Sequence, residues 1–182
     1  MLRDKDIIDE KNPIIHKTSK EVTFPLSDRD RKMINEMIEH LTLSQIPEKA
    51  EELNLRPGMG LSAVQVGILK RYFVVVYEYD EGQFENYIII NPRITSESKE
   101  MIYVEEGEGC LSINRPTVGI VPRHARITME GFDMDGNPIK YRVREDVAIA
   151  FQHEFDHLNG ILFTDRIDPK NPYKDKDKYR SI

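Results

Sequence analysis

The sequence predicts an α+β fold in which antiparallel β-sheets pack around one central helix, with a further helix near the N-terminus. Three observations carry this expectation. Short runs rich in β-branched and aromatic residues recur between Arg71 and Val143, the composition of strands separated by turns. A run with helical spacing, Asp146 to Gly160, follows all of them, and strands preceding a buried helix are the order of an α+β domain. An earlier run beginning at Ser27 carries a helix start and a single apolar stripe.

Taken in order, residues 1–26 read as irregular, with Asn12-Pro13 marking a turn. Ser27-Asp-Arg-Asp30 has the form of a capping box, and Met33, Ile34, Met37, Ile38 and Leu41 make the apolar stripe of the helix it opens. Pro47 to Leu55 suggests a short second helix, ended by Arg56-Pro57-Gly58. Arg71–Tyr79 and Glu85–Ile90 are strands joined by a polar hairpin turn. Further strands are expected near Lys99–Val104, Thr117–Val121, Arg126–Phe132 and Ile139–Val143, with Asp133–Pro138 as a turn. Lys170 to Ile182 carries five cations and few apolar groups, and is expected to be a mobile tail.

Composition narrows the setting. The 182 residues fit one domain spanning 1–182, large enough to bury about 70% of its unfolded surface. One cysteine excludes an internal disulfide framework and fits a reducing, cytoplasmic compartment. The opening residues lack a secretory apolar stretch, and no run is long enough for a membrane span. A net charge of −6 argues against specific nucleic-acid binding, which needs a cationic surface.

The chemistry concentrates in Asp146-Val-Ala-Ile-Ala-Phe-Gln-His153-Glu154-Phe-Asp-His157-Leu-Asn-Gly160. At about 100° per residue, His153 and His157 fall on one face of the helix and can reach one metal ion. Glu154 flanks that face, where it can handle a water proton. Ala148, Phe151, Phe155 and Leu158 cover the opposite face and anchor the helix. Chance alone produces H-E-x-x-H on the order of once in a hundred chains of this length. Two ligands do not hold a catalytic metal. A downstream third ligand could only be Asp165, Asp168, Asp175 or Asp177, since Phe163 stands where a third histidine would fall. Upstream lies Cys110, flanked by Gly107 and Gly109; a lone cysteine is more often a small hydrophobe, but these glycines suggest an unusual backbone path.

Three separated segments resemble the peptide deformylases, in their Gram-positive form: Gly58-Met-Gly60-Leu-Ser-Ala-Val-Gln65, Glu108-Gly-Cys110-Leu111-Ser112 and His153-Glu154-Phe-Asp-His157. The likeness runs from about Asp6 to Asp168, and the piece before the glycine segment and the Tyr79–Phe84 connection match that form. The resemblance implies a metal-dependent hydrolase that removes the N-formyl group from N-formylmethionyl peptides and nascent chains. It implies one divalent ion, Fe2+ with Zn2+, Ni2+ or Co2+ as substitutes, held by Cys110, His153 and His157. Glu154 would carry the proton, and the Leu111 N–H and Gln65 amide would stabilise the oxyanion. From the residues alone, Gln65 reads as a surface amide in a turn.

Ala150, one turn before His153, leaves space beside the metal, and with Ile149 and Met59 it could line a slot for the substrate methionine; Ile149 and Ala150 could equally be core. Gly60 would let a substrate backbone approach and add as a strand. Asp156 needs a cation if buried, and Arg123 is the expected partner. Ser62 and Val64 depart from the usual Gly-x-Gly-Leu-Ala-Ala-Pro-Gln, and valine does not fix φ as proline does. Transient ribosome contact follows from the substrate class. The rival readings are a zinc endopeptidase using Asp165 or Asp168, a metal-free cysteine hydrolase, and a non-catalytic metal-binding homologue.

Overall fold

A computed structural model describes every residue, Met1–Ile182. The 3-10 turns Asp4–Asp6 and Pro13–His16 punctuate an N-terminal segment that buries Leu2, Ile7, Ile15, Val22 and Leu26. Helix α1 (Asp28–Gln45) starts where its cap dictates: Ser27 accepts from the Asp30 N–H at 3.1 Å. Its Ile34, Met37 and Leu41 are fully buried against Leu61, Tyr72, Val74 and Val76. Helix α2 (Pro47–Leu53) ends two residues earlier than expected, because Asn54 takes the left-handed conformation with φ 51°.

The main sheet has the order β1-β2-β3-β6-β7 and is antiparallel throughout. Its strands are β1 (Gly60–Ser62), β2 (Tyr72–Asp80), β3 (Gln83–Glu97), β6 (Arg126–Phe132) and β7 (Pro138–Arg144). Strand β3 runs well past the expected Ile90. Asn91-Pro92 reads as a stop, yet the chain absorbs it as a bulge between Ile90 and Arg93 and goes on to pair with β6. A second sheet joins β4 (Met101–Tyr103) to β5 (Arg123–His124) and, in parallel, to β8 (Arg180–Ser181).

Two expectations are corrected here. Thr117–Val121 is not a strand: Gly119 has φ +125°, and Ile120 donates to the Pro172 carbonyl instead of a ladder partner. Residues 170–182, expected as a mobile tail, are docked. β8 pairs with β4, and Arg180 bonds Glu145 at 2.7 Å and Glu100 at 2.9 Å.

Helix α3 (Glu145–Leu158) lies against the main sheet. Phe151 is its anchor, with no exposed surface and edge-on contacts to Phe73 at 5.7 Å and Tyr87 at 5.3 Å. Ala148 and Leu158 are equally buried, while Phe155 is only partly covered, under the Arg71 guanidinium. Gly160 ends the helix at φ +73°, where a Cβ would collide with the His16 carbonyl. The helix is therefore locked along its length, a rigid base for a metal site.

Candidate metal centre

The α3 face opposite Phe151 carries His153 and His157, buried to 8% and 1% exposure. The loop after β4 brings Cys110 to the same place. One ligand atom from each of Cys110, His153 and His157 falls within 4.8 Å of the others. The Cys110 Sγ lies 3.4 Å from the His157 Nε2. A thiolate and two imidazoles converging on one buried point fit a tetrahedral divalent ion with one position open. No other group of three potential ligands meets in the structure. Asp165 instead caps the Leu162 N–H, and Asp168 caps Lys170 and Asn171, so neither supplies a third ligand as an endopeptidase would need.

A carboxylate network stands behind these three side chains. Glu108 accepts from the His153 Nδ1 at 2.8 Å, turning the other ring nitrogen toward the metal position. Arg123 grips the same carboxylate through Nε at 2.7 Å and Nη2 at 3.0 Å, and reaches Asp156 at 2.6 Å with Nη1. Asp156 also accepts from Arg166 at 2.6 Å. Burial opposes ionisation of Glu108, but Arg123 and His153 outweigh it and lower its pKa to about 2. Burial likewise opposes charging of His153, yet its bonds to Cys110 and Glu108 hold it well above the ordinary value. For His157, burial and the neighbouring charges of His153 and Arg123 act together and push it well below.

Glu154 is 3% exposed, and burial raises its carboxyl to about 7, with His153 and Ser62 acting against the rise. It abuts β1 so closely that a Cβ on Gly60 would lie 2.5 Å from its Oε1. Glycine is required there by close approach. Gln65 is 1% exposed, which overturns the surface-turn reading. Its Oε1 accepts from the Ser62 N–H at 2.9 Å, so its amide nitrogen is aimed at Ser112 Oγ, 3.1 Å away, and Cys110 Sγ, 3.6 Å away. Those bonds hold Gln65 without the help of a proline at 64. The Leu111 N–H donates to nothing within the chain, while its carbonyl is held by Arg56 at 2.6 Å.

These groups open onto a cavity of about 460 Å³ lined by Met59, Gly60, Gln65, Cys110, Leu111, Ile149, Ala150, His153 and Glu154. His157, Arg123 and Asp156 do not line it. β1 is the edge strand of the main sheet and forms one rim. Glu108, Arg166, Ser62 and Arg56 received no role from the sequence. Glu108 had a usable signal, since a metal-binding histidine regularly needs a carboxylate or carbonyl on its second nitrogen. Arg166 and Arg56 had none.

A family model described as polypeptide deformylase matches residues 4–173. The chain is 47% identical over 176 residues to the peptide deformylase of Halalkalibacterium halodurans, covering 96% of both chains. It is 44% identical to peptide deformylase 2 of Bacillus anthracis, covering 95% of this chain and 94% of that one. Among solved structures, the peptide deformylase of Thermotoga maritima aligns with a TM-score of 0.69 at 34% identity, over 90% of this chain and 97% of that chain. A probable peptide deformylase from Synechococcus phage S-SSM7 aligns with a TM-score of 0.72 at 32% identity, over 88% and 98%.

Proposed function

The chain belongs to the polypeptide deformylase family, the enzymes that remove the N-formyl group from nascent chains, and we propose that Cys110, His153 and His157 hold the metal this reaction needs. The convergence of those three ligand atoms, with Cys110, His153 and Glu154 lining the cavity, carries the proposal. When bound, a divalent ion supplies Lewis acidity and lowers the pKa of water. Glu154 takes the proton from the attacking water and delivers it to the amine as the C–N bond of the formamide breaks. The free Leu111 N–H donates to the oxygen that gains charge on the formyl carbon, joined by the Gln65 amide once it turns one N–H from the long contact with Cys110 Sγ toward that oxygen. The exposed edge of β1 pairs with the substrate backbone, and Met59, Ile149 and Ala150 take up the methionine side chain.

Anaerobic formate release from an N-formylmethionyl peptide, with metal content measured on the same sample, tests the reading. Formate in proportion to bound metal is expected. Metal without formate would make the chain a binding module. Turnover surviving complete chelation would make Cys110 a nucleophile.

Ferrous iron is the proposed metal, since a thiolate with two imidazoles suits iron as well as zinc. The iron form is then expected to lose activity in air, through oxidation of the ion or of Cys110, and the nickel form to keep it. Equal lifetimes with and without oxygen would remove iron from consideration. A thiolate ligand also needs a reducing setting, and no helix is long and apolar enough to cross a membrane, which supports a cytoplasmic enzyme. Its contact with the ribosome would be transient. Lys174, Lys176 and Lys178 already pair with Asp168, Glu105 and Asp175, which leaves little free cationic charge at that end.

A further inference from the structure

Ser62 stands where the resemblance has alanine, and its side chain does something alanine cannot. It has no exposed surface, and its Oγ lies 2.7 Å from the Glu154 Oε2 and 2.9 Å from the Glu154 backbone carbonyl. A hydroxyl has one proton to give. A carboxylate is the stronger acceptor, so the bond goes to Oε2. Oε1 is the oxygen packed beside Gly60 on the β1 rim of the cavity. The two oxygens of Glu154 are therefore unlike: one is tied down within the protein and the other lies where a substrate would enter.

We infer that Ser62 is a positioning residue for the deformylation reaction. Its hydroxyl anchors Oε2 and so fixes the torsions of the Glu154 side chain, presenting Oε1 alone to the reacting atoms. The inference rests on the reading of Glu154 as proton carrier. Its physical content is preorganisation: a long side chain held in one orientation need not search for it during each turnover. Ser62 also couples this group to the oxyanion donor. Its backbone N–H orients Gln65 while its side chain orients Glu154, so a single residue of β1 sets the geometry of both.

Ser62→Ala deletes the hydroxyl and leaves the N–H to Gln65 intact, which separates the two roles. Expected is a fall in kcat of about tenfold, the scale of one charge-assisted hydrogen bond, with KM within twofold and metal content unchanged. In Glu154→Asp the shortened side chain no longer reaches Oγ, so adding Ser62→Ala should cost nothing further. A kcat unchanged in Ser62→Ala, a loss carried by KM or by metal content, or an equal cost in the Glu154→Asp background would overturn the inference. Glu154→Gln, measured beside them, separates the two levels. If it retains turnover, the proton-carrier reading itself fails; if it is inactive while Ser62→Ala is unaffected, only the role of Ser62 is lost.

Discussion

Glu154→Gln is expected to bind metal as the parent does and to lose turnover by about 10²–10⁴-fold, the range for removal of a general acid–base group. Glu154 is not among the three converging ligand atoms, so ligation does not depend on its charge. The amide is the same size as the carboxylate, so the close packing against Gly60 and the contact with Ser62 are kept. What disappears is the ability to take a proton and return it. Burial raises the Glu154 carboxyl to about 7, and a cation bound beside it would pull that value back down, toward the ionised form that accepts a proton. Formate release and metal content on one sample decide the matter. Metal lost in step with activity would make Glu154 a ligand or a structural group.

How much of this was legible in the sequence depends on the range of the interaction. His153 and His157 share a face because a helix repeats every 3.6 residues, and local spacing reports that directly. The α1 cap at Ser27 and the β2–β3 hairpin were legible for the same reason. Cys110 was legible only in part: the flanking Gly107 and Gly109 hinted at an unusual backbone path, and it took the resemblance to make the cysteine a ligand. Glu108 was hidden differently. A ligand histidine calls for a carboxylate or carbonyl on its second nitrogen. That Glu108 is the group supplying it is decided only when α3 and β5 are assembled, since its partners His153 and Arg123 come from those two elements. The C-terminal residues show the opposite error. A cationic, weakly apolar segment reads as mobile, yet Arg180 finds Glu145 and Glu100 while β8 finds the edge of β4. Gln65 was misread because a glycine-rich neighbourhood suggests an exposed turn; here the turn is buried and its amide faces Cys110.

Arg123→Ala is expected to destabilise the fold and weaken metal retention together. The guanidinium is 3% exposed and lies between two carboxylates with side chains 4% and 6% exposed, Glu108 and Asp156. Removing one partner of such a buried pair costs about 3–5 kcal/mol, because the other charge stays behind in a poorly solvated place. For a chain of this size that is a fall in the thermal midpoint of roughly 10 °C. The two carboxylates do not suffer equally. Asp156 keeps Arg166, whereas Glu108 keeps only His153. An unpaired Glu108 either draws a proton or shifts, and in both cases the bond that orients His153 is lost, so metal affinity should fall by about 10–100-fold. Arg123→Lys should recover little, since one ammonium cannot reproduce a two-point grip on Glu108 and reach Asp156 as well. Arg166→Ala is the control. Its side chain is 43% exposed, and a pair of that kind contributes about 1 kcal/mol or less. The pH dependence has a definite sign. Glu108 is depressed on folding, from the usual 4.5 to about 2. Its stabilisation is therefore present above the unfolded value and is lost as pH falls through that interval. Acid unfolding of the parent should steepen between about pH 4.5 and 2, and that component should shrink in Arg123→Ala, where only His153 is left to hold Glu108 ionised. A variant that loses stability yet retains metal and its ligand geometry would show that the bridge ties the fold together without orienting His153.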